Sequence, residues 1–102
     1  MNTIISIDCG TTSTRCIVFN DHHGIEHIES SELQLSHPSP QWVEQSANDI
    51  WLQTYSCLSK TLDCISPSSV AAIAITNQRE TAIVWDRVTG EPIGPAISWQ
   101  CR

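Results

Sequence analysis

Residues 8–15 form a polar loop between two apolar runs and carry the first side chains whose types suggest a chemistry. Gly10, the one glycine of the loop, lets a backbone approach a ligand closely. The donors around it suit phosphate oxygens, and they belong to Thr11, Thr12, Ser13 and Arg15. Asp8 would repel a phosphate unless a hydrated magnesium ion lay between them. The loop therefore predicts a magnesium–phosphate site, and a hairpin tip whose hydroxyls satisfy only local backbone groups is an equally weighted alternative.

A second polar segment, Asn77-Gln78-Arg79-Glu80, directly follows the apolar run at residues 70–75. In open α/β sheets, ligands gather beyond the carboxyl ends of the strands. Arg79 can only donate hydrogen bonds and ionised Glu80 can only accept them, so the pair matches a hydroxyl group, which does both. The pair predicts a polyol site, and the competing interpretation is a solvated ion pair at a strand end, which is common. Trp99 could lay its flat ring on the carbon side of a polyol or fill a core.

The histidines and cysteines give a weaker signal. His22, His23 and His27 are close in sequence, but no carboxylate or thiolate completes a metal site at a convincing spacing, so a solvated turn at residues 21–24 is favoured. Five cysteines without paired short spacings do not form a disulfide framework and are expected to be reduced. Cys16, Cys57 and Cys64 are predicted to pack in the core.

The elements that must position these side chains follow from the apolar pattern. Strands are predicted at residues 4–7 and 15–20 as an antiparallel hairpin, and from residue 25 toward residue 35. Ser46 has the form of a helix cap, and the apolar stripe behind it runs to Ile65 before Ser66-Pro67 ends the helix. Residues 70–75 are apolar on both faces and predict a strand in the interior of a sheet, covered on both sides. Residues 81–85 and 96–99 are predicted to be two more strands joined by a hairpin loop, which completes a mixed α/β layer.

Composition excludes several classes of function. The chain has 102 residues and a net charge of −6 without a basic cluster, so a nucleic-acid-binding role is not expected. No apolar run approaches the ~20 residues of a membrane span, and the N-terminus carries no secretory signal. These features predict a single small α/β unit in the cytoplasm.

Four segments in order resemble the FGGY family of carbohydrate kinases, and specifically its glycerol kinase branch: residues 7–15, Trp42-Val43-Glu44-Gln45, residues 75–81 and residues 97–102. The resemblance covers the chain from end to end. It implies the ribonuclease-H-like fold shared with actin and Hsp70-type ATPases, as a mixed sheet with one main helix. It also implies that residues 1–102 are the N-terminal part of the first kinase domain, with the second domain outside them, in a parent enzyme that forms homo-oligomers.

The implied activity is transfer of the terminal phosphoryl group of ATP to glycerol, giving glycerol 3-phosphate. By resemblance, Thr11, Thr12, Ser13 and Arg15 contact nucleotide phosphates, and Asp8 helps to hold magnesium through water. Arg79 and Glu80 bind glycerol hydroxyls, and Trp99 lies against the carbon backbone of glycerol. The family's general base and most of its adenosine pocket lie downstream and are not among these residues, so the fragment alone is expected to be inactive.

The sequence departs from the family pattern at a few positions, of which Cys9 matters most, because a thiol there lies beside the phosphate loop. Two alternatives to an active glycerol kinase stay open at this point. The chain could be a truncated, non-catalytic remnant that at most binds a partner, or the fold could serve a kinase acting on another polyol or sugar.

Overall fold

The computed structural model describes residues 2–22 and 24–100. The predictions that fall on His23 and on the end of the last motif, Cys101 and Arg102, lie outside the described residues. The strands are β1 (Thr3–Cys9), β2 (Ser13–Asn20), β3 (Gly24–Glu32), β4 (Glu44–Gln45), β5 (Val70–Thr76) and β6 (Ala96–Ile97), with one α-helix, α1 (Ala47–Asp63), and a 3-10 turn at Pro67–Ser69.

The main sheet has the strand order β3-β2-β1-β5, in which β1, β2 and β3 are antiparallel neighbours and β5 pairs in parallel with β1. The predicted hairpin between β1 and β2 and the predicted mixed sheet with one main helix are confirmed. Successive side chains of a strand point to opposite faces, and α1 packs on the face that carries Ile5, Ile7, Cys16 and Val18. These side chains form the core together with Cys57 of the helix.

Helix α1 begins where the sequence predicts. The Ser46 Oγ accepts a hydrogen bond from the Asp49 amide at 3.1 Å, and Asp49 lies near the positive end of the helix dipole. Cys57 and Thr61 are its buried residues. Cys64, predicted to be in the core, is instead the exposed C-cap of the helix, because at this end of the helix its neighbours are the polar side chains of His27 and Glu29 on the outer strand β3 and not the apolar core.

The prediction for β5 is wrong in one respect. The strand forms, but in the described part of the chain it lies at an edge of the sheet, and all of it beyond Val70 is exposed. Helix α1 lies over β1, β2 and β3 and does not extend over β5, so Ile73 and Ile75 are 50% and 71% exposed. The apolar side chains of β5 are therefore left largely exposed by the residues that the structure describes.

The two predicted strands near the C-terminus are shorter than expected. Residues 81–85 make only isolated antiparallel bridges, Ala82 with Ile97 and Trp85 with Pro92, because turns and two prolines interrupt the pairing. Of residues 96–99, the first two form β6, which pairs with β4 in a separate two-stranded sheet. None of the helices in the described ranges has the length and apolar character needed to cross a membrane.

Candidate functional site

The loop between β1 and β2 turns tightly around Gly10. The Gly10 amide donates to the Ser13 carbonyl at 3.0 Å and to the Asp8 carbonyl at 3.1 Å. A Cβ atom at this position would lie 2.8 Å from the Ser13 carbonyl oxygen, which is closer than non-bonded carbon and oxygen atoms come. The loop therefore requires glycine at position 10, and the close approach that requires it is made by the chain itself.

The carbonyl groups of this loop are held from behind by two side-chain amides. Gln45 donates through Nε2 to the Thr11 carbonyl at 2.7 Å, and Gln78 donates through Nε2 to the Gly10 carbonyl at 3.0 Å. Gln78 also donates to Oε1 of Gln45 at 2.8 Å. Gln45 is 2% exposed, so this amide pair is a fixed, largely dry support for the loop.

The outer side of the loop presents donors. Within residues 2–22 and 24–100, the amides of Thr11 and Thr12 and the hydroxyls of Thr12 and Ser13 make no hydrogen bond. Donors at a tight turn that are not used within the protein form an anion-binding concavity. The predicted phosphate-binding residues of the loop are therefore together on one accessible surface.

Asp8 and Arg15 face each other across the β1–β2 ladder, on the sheet face opposite α1. Arg15 Nη2 lies 3.7 Å from Asp8 Oδ2, and both side chains are nearly half exposed. An ion pair this exposed contributes little to stability. Both charges are therefore available to a ligand at the loop.

Arg79, Glu80 and Trp99 line one cavity of about 410 Å³. The sequence places these three residues in two separate motifs, and the fold brings them together. Glu80 is, among the described residues, the one residue other than glycine with a positive φ, 60°. Such a conformation costs about 1–3 kcal/mol and persists where the surroundings impose it, commonly at ligand sites.

The cavity and the loop are joined by Trp99, whose indole Nε1 donates to the Thr11 Oγ1 at 2.9 Å. A second connection runs through Thr81, whose hydroxyl donates to Gln78 Oε1 at 2.8 Å and accepts from the Trp99 amide at 3.2 Å. The reason for the convergence is the parallel pairing of β1 with β5, which places the carboxyl ends of both strands at the same edge. All eight predicted site residues lie at this edge.

Three residues of the site were not among the predicted ones: Gln45, Gln78 and Thr81. Gln45 and Gln78 stand inside the motifs that carried the family resemblance, but an uncharged amide gives no indication of its partner from sequence alone. The Cys9 thiol, whose position beside the loop drew attention, points away from it toward the helix, with Sγ 3.9 Å from the Thr54 hydroxyl.

Comparison with known proteins places the chain in a family of carbohydrate kinases. Residues 3–102 match the model of the N-terminal domain of the FGGY family of carbohydrate kinases. A protein named glycerol kinase from Geobacillus sp. (strain WCH70) is 48% identical over 101 residues, covering 97% of this chain and 20% of the relative. Glycerol kinase from Lactobacillus acidophilus is 50% identical over 102 residues, with the same coverage of 97% and 20%.

Solved structures give the same result. Glycerol kinase from Plasmodium falciparum with ADP superposes with a TM-score of 0.87 at 31% identity, over 100% of this chain and 21% of that one. Xylulose kinase from Rhodospirillum rubrum superposes with a TM-score of 0.88 at 23% identity, over 99% of this chain and 21% of that one; that likeness concerns the fold alone. The expected sugar-kinase, actin-like ATPase fold is confirmed. The chain spans about a fifth of the length of the relatives it matches.

Proposed function

The chain belongs to the FGGY family of carbohydrate kinases, and we propose that the protein built on it transfers the terminal phosphoryl group of ATP to glycerol. The observation that carries the proposal is the 2.9 Å hydrogen bond from Trp99 Nε1 to Thr11 Oγ1, which puts the wall of the cavity lined by Arg79, Glu80 and Trp99 directly against the phosphate loop. Phosphoryl transfer depends mainly on holding the two reactants in line and on stabilising the charge of the transferring group. A cavity for the acceptor beside a loop of donors has that arrangement.

Each side of the site has a defined part in this proposal. The unused donors of Thr11, Thr12 and Ser13 bind phosphate oxygens, and Arg15 adds a fixed positive charge where negative charge develops. In the cavity, Arg79 donates to glycerol hydroxyls, Glu80 accepts from them, and the exposed ring of Trp99 covers the carbon backbone. A proton-accepting carboxylate and an adenosine pocket would come from parts of the protein beyond these residues.

Asp8 fits the role of a magnesium contact. Its carboxylate is exposed at the end of β1, and magnesium is commonly held through one or two carboxylates, several waters and the substrate's phosphates. When bound, the ion neutralises phosphate charge. Asp8 itself would orient a water of that ion, while the nearby Arg15 keeps the local charge of the pair close to zero.

The exposed apolar surface supports the further proposal that residues 1–102 are the N-terminal part of the first kinase domain. The sheet face opposite α1 carries Ile4, Phe19, Ile25 and Ile28, all 39% to 55% exposed. Apolar surface of this extent on a sheet is typical of faces that another element covers. A cytoplasmic location and a homo-oligomeric parent enzyme stay predictions.

The proposal is tested by glycerol-dependent ATP turnover in the protein that carries this chain, with two variants. Arg79→Ala removes a donor to the acceptor substrate and should mainly raise the KM for glycerol, whereas Asp8→Asn should mainly depress magnesium-dependent kcat. Arg87→Ala is the matched control, since Arg87 is an exposed arginine in the loop after residue 85. Unchanged kinetics in both site variants would refute the assignment.

Two other functions are separable in the same experiment. A turnover faster with another polyol or a sugar than with glycerol would keep the fold and change the acceptor. Intact mass of the endogenous protein addresses the non-catalytic remnant: a mass near the 11.3 kDa of this chain would contradict catalysis, and one several times larger would support it.

A further inference from the structure

The face of β3 that packs under helix α1 carries polar side chains where the alternation of the sheet calls for apolar ones. In the register, His27 lies opposite Val18 and Glu29 lies opposite Cys16, and both of these partners are fully buried. His27 and Glu29 are each 28% exposed. Partial burial of ionisable groups is unfavourable unless they gain a partner.

The C-terminal end of α1 brings a third ligand-type group to the same place. The histidine nitrogen, the carboxylate oxygen and the Sγ of Cys64 all lie within 4.8 Å of one another. Nε2 of His27 is 3.0 Å from Oε1 of Glu29. None of these three residues belongs to the candidate functional site described above. Cys64 is far from His27 in sequence, so the cluster becomes visible only in the folded chain.

We propose that His27, Glu29 and Cys64 bind a divalent transition metal ion of the zinc class, with water as the fourth ligand. Imidazole, thiolate and carboxylate together suit zinc, whereas magnesium and calcium prefer oxygen ligands alone. The thiolate and the carboxylate balance the two positive charges of the ion while the imidazole stays neutral. The negative end of the α1 dipole, at its C-cap Cys64, adds to the attraction for a cation.

The geometry needs only a small adjustment. Zinc bonds of about 2.0–2.3 Å in a tetrahedron place ligand atoms about 3.3–3.7 Å apart, so a separation at the 4.8 Å limit must shrink by about 1.1–1.5 Å. Rotation of the exposed Cys64 side chain can supply this change. On binding, the Cys64 thiol loses its proton to solvent as the sulfur–metal bond forms, and the His27–Glu29 hydrogen bond gives way to two metal bonds.

A metal here would join the outer strand of the sheet to the end of the helix. Residues 27 and 64 are then cross-linked through the ion in the folded state only, and a ligand that binds only the folded state stabilises it. Binding should therefore raise the melting temperature of the protein.

The test is cobalt(II) and zinc binding to the protein that carries this chain, with excess magnesium present to occupy oxygen-donor sites such as Asp8. The expected result is one cobalt ion per chain with a thiolate-to-cobalt charge-transfer band and displacement by zinc. Cys64→Ser should abolish the band, and both Cys64→Ser and His27→Gln should weaken zinc binding by at least about tenfold. Cys9→Ser and His37→Gln are the matched controls, because they change a thiol and an imidazole outside the cluster. Both should leave the cobalt band and the zinc affinity unchanged.

Thermal unfolding supplies the second measurement, which does not depend on the cobalt spectrum. Zinc should raise the melting temperature of the wild type and not that of Cys64→Ser, whose circular dichroism shows whether it has folded. Binding of less than one ion per chain, or a band and affinity that survive both cluster variants, would overturn the proposal. His27 and Glu29 would then serve only as inward-facing charges that protect the sheet edge from pairing.

Discussion

Replacing Gln78 by methionine tests the amide support of the loop between β1 and β2. The change keeps a similar shape and removes the hydrogen bonds to the Gly10 carbonyl, to Gln45 Oε1 and from the Thr81 hydroxyl. The largest cost is at Gln45, which is 2% exposed, so its Oε1 is left buried without a donor. An unsatisfied buried group costs about 1–3 kcal/mol, and each of the two less buried bonds contributes about 0.5–1.5 kcal/mol. The expected loss in the free energy of unfolding is about 2–6 kcal/mol.

The assay is urea unfolding of the protein that carries this chain, with the variant expected to lower the midpoint without changing the slope. Gln53→Met is the matched control, because within the described ranges the Gln53 side chain makes a single hydrogen bond, to Asp49 Oδ1 in the same helix at 3.3 Å, worth about 0.2–0.5 kcal/mol. Where the proposed activity is measured, a loosened loop should also lower kcat/KM by about 10- to 100-fold, since small misplacements of reacting groups are costly. A Gln78→Met variant no less stable than Gln53→Met would refute the claim that the amide pair supports the loop.

Two further predictions concern the loop glycine and the buried thiols. Gly10→Ala should destabilise the fold by about 1–3 kcal/mol because the new Cβ would meet the Ser13 carbonyl oxygen at 2.8 Å. Gly94→Ala is the control, since no atom lies within 4 Å of a Cβ added there, and it should change the urea midpoint little. Equal effects of the two substitutions would contradict the steric requirement for glycine at position 10. Burial, helped by the neighbouring Cys57 thiol, raises the pKa of Cys16 to about 12. Because the folded pKa lies above the unfolded one, the stabilisation is complete below about pH 9 and should fall as the pH rises toward 12; urea midpoints at pH 8 and pH 10.5 should differ more for the wild type than for Cys16→Ala.

Much of the fold follows from local pattern. The apolar runs on either side of the short polar loop predicted the β1–β2 hairpin. Ser46 and Asp49 predicted the start of α1 at the residue where it begins. The errors share one cause. The apolar residues of β5 and the thiol of Cys64 were assigned to a core by their type, but burial depends on which neighbours the chain supplies, and α1 does not reach over β5.

The residues of the candidate site were likewise predictable only in part. Residues that would touch a ligand carry their chemistry in the side chain, so hydroxyls beside a glycine and an Arg–Glu pair after a strand could be recognised. Residues that position them could not, because Gln45 and Gln78 act through each other and through loop carbonyls far away in sequence. The cluster of His27, Glu29 and Cys64 combines both situations. Its imidazole, carboxylate and thiol are recognisable in the sequence as metal ligands, but their proximity depends on the packing of α1 against β3.

The backbone at Glu80 connects the two halves of the site. A left-handed conformation in a residue with a Cβ is unfavourable unless both sides of it are held in place. Gln78 is held by the Gly10 carbonyl, and Thr81 is held by Gln78 and by the Trp99 amide. The segment between them is therefore anchored at both ends, and Glu80, whose φ is 60°, lines the cavity from within it. A change in the loop should thus alter the cavity lined by Arg79, Glu80 and Trp99, because the same hydrogen bonds hold both.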